Sequence, residues 1–183
     1  MVNAVGRAPV ILFGDSHLAP SSSNDIRKLD SRLRDAGWEV QNLAVAGLST
    51  RSALELVSEF PAGPAVLSFG GNDAAPWKRV PLSAFARNYE RILGMCSGKI
   101  IVLGPTPVAF PSAWPRTNRQ QRRYAAEAGR VTRDVGGAFV DLFQLLAGRD
   151  GMLLRDGVHL TDAAYELIAV SVLDELSESG VGA

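Results

Sequence analysis

Four short strand-like stretches in this chain, three of them largely apolar, each run into a loop that carries a glycine. Ala8–Phe13 reaches Gly14, Trp38–Ala44 reaches a turn at Gly47, Ala65–Phe69 reaches Gly70, and Lys99–Leu103 reaches Gly104. A fifth, Ala138–Val140, reaches Asp141. Runs of this length, bounded by turn residues, predict strands. Between them lie segments of helical periodicity. Asp25–Ala36 sets Ile26, Leu29 and Leu33 among Arg27, Lys28, Arg32, Arg34 and Asp35, and Gly37 stops it. Ser21-Ser22-Ser23-Asn24 reads as the cap of that helix. Further helices are predicted from the Gly47–Thr50 turn to about Glu59, over Pro81–Met95, Arg116–Asp134, Asp141–Ala147 and Thr161–Leu176. Strands alternating with helices predict an α/β fold, a parallel sheet covered on both faces. Right-handed crossovers bring all strand carboxyl ends to one edge, where such sheets hold ligands.

Bulk properties narrow the partners. At 183 residues the chain fits one domain, 1–183, with a core from about 8 to 177. Hydrophobic residues make up 46%, enough for a packed core. Lys+Arg and Asp+Glu both number 19, so no global charge favours nucleic acid or an anionic membrane. The one cysteine, Cys96, excludes an internal disulfide and suits a reducing compartment; it reads as a small near-core residue. Met1–Arg7 lacks the pattern of a signal peptide, and no apolar run reaches membrane-spanning length. The expectation is a cytoplasmic protein without membrane insertion.

The first strand stops at Gly14-Asp15-Ser16-His17, which places the Ser16 hydroxyl at the carboxyl edge of the sheet. A serine nucleophile needs a base, and the chain has two histidines. His17 adjoins Ser16, and neighbouring side chains diverge; it reads as a polar loop residue. His159 stands three positions after Asp156 with Gly157 between them. That spacing lets the carboxylate turn back to Nδ1, fix one tautomer and stabilise the imidazolium. Donors for an oxyanion are available from the Ser16 N–H, the Gly47 N–H and the Asn72 side-chain amide, all placed after successive strands.

Gly14-Asp15-Ser16, Gly47, Gly70-Gly71-Asn72-Asp73 and Asp156-Gly157-Val158-His159 occur in the order of the four sequence blocks of SGNH hydrolases, also called GDSL esterases/lipases. The resemblance runs from about residue 9 to 176. It implies a flavodoxin-like three-layer α/β/α sandwich with a five-stranded parallel sheet in the order 2-1-3-4-5. It implies Ser16 as nucleophile, His159 as base oriented by Asp156, and an oxyanion hole of Ser16 N–H, Gly47 N–H and Asn72 Nδ2. It also implies hydrolysis of a small-molecule ester or thioester with neither metal nor cofactor. The family run is commonly Gly-Asp-Ser-Leu or Gly-Asp-Ser-Ile, whereas His17 takes the fourth place here. Asp73 is expected to brace a loop rather than react.

Two rim loops carry bulky groups. Trp77 on one, and Phe110 and Trp114 on the other, are candidates for an apolar wall that suits a short-to-medium acyl or aryl ester. On the helix 116–134, Arg116, Arg119, Arg123, Arg130 and Arg133 share one side, a solvated basic face, opposite Tyr124, Ala128 and Val131. An acyltransferase using the same Ser-His-Asp site is the first alternative to a hydrolase. A non-catalytic flavodoxin-like binding module is the second, and it fits less well, because Asp15 beside the first loop repels phosphate.

Overall fold

The computed structural model describes residues 8–21, 25–109 and 115–178. Five strands form one sheet: β1 (Val10–Gly14), β2 (Val40–Asn42), β3 (Ala65–Ser68), β4 (Ile100–Leu103) and β5 (Ala138–Val140). All the pairings are parallel and the order is β2-β1-β3-β4-β5, as the resemblance implied. Six helices lie in the segments between and after them: α1 (Leu29–Asp35), α2 (Thr50–Leu56), α3 (Leu82–Leu93), α4 (Asn118–Asp134), α5 (Leu142–Leu145) and α6 (Asp162–Glu178).

The continuous apolar runs follow from burial on both faces. Successive side chains of a strand point to opposite sides. Val10 and Leu12 enter a core with Leu33 of α1 and Ile168 and Val172 of α6. Ile11 and Phe13 enter the other, with Phe85 and Tyr89 of α3 and Val131 of α4. Cys96 packs at the margin of this second core, and burial pushes its thiol up to about 11. Gly14 is needed where β1 ends: a Cβ there would come within 2.4 Å of the Ser68 carbonyl oxygen on β3. The chain order reverses between β1 and β3. The loops after these strands therefore border the crevice where ligands bind in open α/β sheets.

Two helices start later than the pattern suggested. The α1 helix begins at Leu29, with Lys28 at the N-cap position and no side-chain cap. The Arg27 N–H donates instead to Asp162 Oδ1 at the start of α6 (2.8 Å), which holds residue 27 out of the helical turn. Ser22, Ser23 and Asn24 of the expected cap lie outside the described residues. The α4 helix begins at Asn118, capped by Thr117, so Arg116 is not part of its basic face. Arg130, by contrast, is ion-paired with Glu127 and Asp134 on α4, while Tyr124, Ala128 and Val131 are buried.

Candidate active site

Ser16 follows β1 on a single helical turn, in which the Leu18 and Ala19 N–H groups both donate to the Asp15 carbonyl. One turn leaves its last carbonyls without helical partners. Here side chains serve four in a row. Lys28 Nζ donates to Ser16 O and Ala19 O, each at 2.8 Å. The Tyr165 hydroxyl donates to His17 O (2.8 Å) and Asn42 Nδ2 to Leu18 O (2.9 Å). The loop is thus held by the start of α1, by β2 and by α6.

Asp156 and His159 occupy the loop before α6. The Val158 and His159 N–H groups donate to Asp156 Oδ1, each at 2.9 Å, so this oxygen closes the turn. The other oxygen, Oδ2, lies 2.5 Å from His159 Nδ1. Burial pushes the Asp156 carboxyl upward, but the hydrogen bonds from the His159 ring and from the two N–H groups outweigh it. The carboxyl is held below its ordinary range. An ionised Asp156 accepts only, so Nδ1 carries the imidazole hydrogen and the Nε2 lone pair is left for another partner. That partner is Ser16 Oγ, at 3.1 Å.

The expected oxyanion donors border the same cleft. Ser16, Gly47, Asn72, Trp77, Arg116 and His159 line a cavity of about 240 Å³. Gly47 has φ +78°, a left-handed conformation that favours glycine. Among the described residues, neither the Ser16 N–H nor the Gly47 N–H has a protein acceptor. Asn72 differs. Its Nδ2 donates to Asp15 Oδ2 (3.2 Å) and Leu48 O (3.1 Å), and its Oδ1 accepts from Arg116 Nη2 (2.8 Å). Both amide hydrogens are engaged, so donation to a ligand means sharing or displacing one of these contacts. Asp73 braces the start of α2, accepting from the Thr50 N–H and hydroxyl.

The structure gathers Ser16, Gly47, Asn72, Asp156 and His159 into one place and sets Trp77 on its edge. Phe110 and Trp114 lie outside the described residues. Several neighbours were not legible as site residues. By its spacing Lys28 is one charged position among several on the 25–36 segment. Arg116 looked like part of a solvated helix face, yet its guanidinium also lies over the Trp77 ring, 5.2 Å from the centroid. His17 lies on the loop, as expected of a polar residue there, but its side chain is buried. Its Nε2 lies 3.3 Å from Thr106 Oγ1 and its ring 5.9 Å from that of His159. Burial lowers its pKa, partly offset by Asp15 and reinforced by His159, Lys28 and Arg116. Finally, a second cavity of about 430 Å³ opens on the other side of Ser16 and His159, with Ala19, Ile26, Leu154, Leu160 and Tyr165 among its walls. Its lining comes from segments far apart in the chain, and no local pattern marks it. Among the described residues, no group of three or more His, Cys, Asp or Glu side chains is placed to hold a metal ion, and no helix is long and apolar enough to cross a membrane.

The chain belongs to the GDSL-like lipase/acylhydrolase family, a family of hydrolases, whose sequence model matches residues 12–167. No curated protein matches it. Among solved structures it is similar to a lipase/acylhydrolase from Enterococcus faecalis, with TM-score 0.78 and 23% identity over 93% of this chain and 96% of that one. It is also similar to Est24, a carbohydrate acetylesterase from Sinorhizobium meliloti (TM-score 0.71, 15% identity, 94% and 99% covered). The native aryl esterase of M. smegmatis gives TM-score 0.71 at 18% identity, with 93% and 99% covered. At these identities the likeness is one of fold.

Proposed function

We propose that the protein is a serine esterase that cleaves short-to-medium acyl or aryl esters through an acyl-enzyme. The observation that carries this is the continuous line Asp156 Oδ2, His159 Nδ1, His159 Nε2, Ser16 Oγ, with separations of 2.5 and 3.1 Å. As Ser16 Oγ bonds to the ester carbon, its proton passes to His159 Nε2. The carbonyl π electrons move to oxygen, which is stabilised by the Ser16 and Gly47 N–H groups and by Asn72 Nδ2. The imidazolium is stabilised by Asp156 and returns its proton to the departing alkoxide as the carbon–oxygen bond breaks. Water then loses a proton to Nε2 and attacks the acyl-enzyme. Collapse of that adduct breaks the bond to Ser16, which recovers its proton, and releases the acid. The cavity of about 430 Å³ is of small-molecule size and supplies an apolar place for the acyl or aryl group. Acetylated carbohydrates and thioesters are further substrates to assay, and water acts as the acceptor unless an alcohol competes.

The test is labelling by a fluorophosphonate probe together with hydrolysis of 4-nitrophenyl acetate. The expected result is label on Ser16 alone and a loss of turnover on the order of 10⁴-fold or more in Ser16→Ala. Label at another residue, or a Ser16→Ala variant as fast as the parent, would overturn the proposal.

A further inference from the structure

Asn72 is held at both ends by charge. At its oxygen stands Arg116, with Nη2 at 2.8 Å; at its nitrogen stands the carboxylate of Asp15, with Oδ2 at 3.2 Å. Asp15 is buried, and its other oxygen accepts from the His17 N–H. A cation at the oxygen and an anion at the nitrogen polarise an amide in the same sense, shifting electron density from N to O. They also fix its orientation, because the reversed amide would face Oδ1 to a carboxylate and Nδ2 to a guanidinium. The Asp15 charge has a cost. It lies directly behind the group that is to donate to a developing oxyanion, and like charges repel. Arg116 supplies the opposite charge on the same amide.

The guanidinium is itself held for this place. It rests over Trp77, and its Nε is buried with no hydrogen-bond partner among the described residues. The carboxylates that act on it electrostatically are Asp15 and Asp156. Both are committed elsewhere, to Asn72 and to His159. Among the described residues, its direct hydrogen bond goes to Asn72.

We infer that Arg116 is a positioning residue for Asn72. It locks the amide with Nδ2 as the donor and offsets the field of Asp15, so that one Nδ2 hydrogen can shift to the substrate oxygen as its charge grows. This rests on the esterase reading and adds to it a residue outside the triad and the oxyanion donors.

A double-mutant cycle on the full chain tests it, with 4-nitrophenyl acetate as substrate. Asn72→Ala is expected to lower kcat on the order of 10²-fold. Arg116→Gln is expected to lower kcat about tenfold or more, the scale of a hydrogen bond to a charged group, with KM little changed. In the Asn72→Ala background the same Arg116→Gln change is expected to cost less than about twofold, because the residue it acts through is gone. Arg116→Lys restores part of the loss, since it keeps the charge, and it replaces Arg116→Gln in the cycle if that variant does not fold. An equal loss in both backgrounds, or no loss at all, overturns the inference. So does a loss confined to a carboxylate-bearing ester such as mono-4-nitrophenyl succinate, which would make Arg116 a substrate contact. If Asn72→Ala is fully active while Ser16→Ala is dead, the oxyanion role of Asn72 fails, the inference falls with it, and the nucleophile stands.

Discussion

Asp73 is the acid in this molecule with the clearest consequence for stability. Burial pushes its carboxyl up to about 6, against the pull of the hydrogen bonds from Thr50, and Asp15 adds to the rise. A folded-state pKa above the unfolded one means that the folded chain binds more protons between the two values. Stability from this group therefore grows as the pH falls from about 7 toward 4. Relative to Asp73→Asn, the parent should gain about 2 kcal/mol between pH 7 and pH 4.5 in urea unfolding. A gap that stays flat or shrinks would defeat this. His17 has the opposite sign. Its pKa is lowered, chiefly by burial, so its contribution is present at high pH and is lost as the pH falls through the ordinary imidazole range. At this scale the meeting of Ser16, Asp156 and His159 was readable from residue type and spacing, and the structure brings the three side chains together. It was not readable for His17 or Arg116. A histidine beside a serine gives no sign of whether it points into the core or out. An arginine just ahead of an arginine-rich helix looks like one more solvated charge.

The element that decides the site is the helical turn after β1. Its four successive carbonyls, of Ser16, His17, Leu18 and Ala19, are held by side chains of Lys28, Tyr165 and Asn42. The same contacts explain why α1 is shorter than its periodicity. Ile26 and Leu29 repeat as a helix should, but Arg27 is tied to Asp162 and Lys28 to the Ser16 turn. Tertiary hydrogen bonds win over a weak local preference at a helix end. Lys28→Met removes two charge-assisted bonds and is expected to cost about 2 kcal/mol, a fall in Tm of roughly 4–8 °C for a chain of this size. It should also lower kcat more than it raises KM. A variant with normal Tm and normal turnover would show that the lysine is not what holds the turn.

For the whole molecule, the layering was legible because burial on both faces forces continuous apolar strands, and β1, β3 and β4 carry them plainly, whereas the strand order came only with the family resemblance. The cavity of about 430 Å³ was not legible, since its walls join Ser16, Ala19, Ile26 and Lys28 to Ala46 and to Leu154, His159, Leu160 and Tyr165. The same long-range construction has a consequence in time. Ser16 and His159 are 143 positions apart, and the turn that holds Ser16 needs Tyr165 of the last helix. Contacts so distant in sequence bear the largest loop-closure entropy and form late. On refolding from urea, hydrolysis of 4-nitrophenyl acetate should return with the slowest structural phase and never ahead of the far-UV circular dichroism signal. Activity that preceded it would mean that the site assembles without α6. On the proposed mechanism, a chain still leaving the ribosome stays silent toward esters until α6 is out and docked, so that hydrolysis reports the docking of that helix.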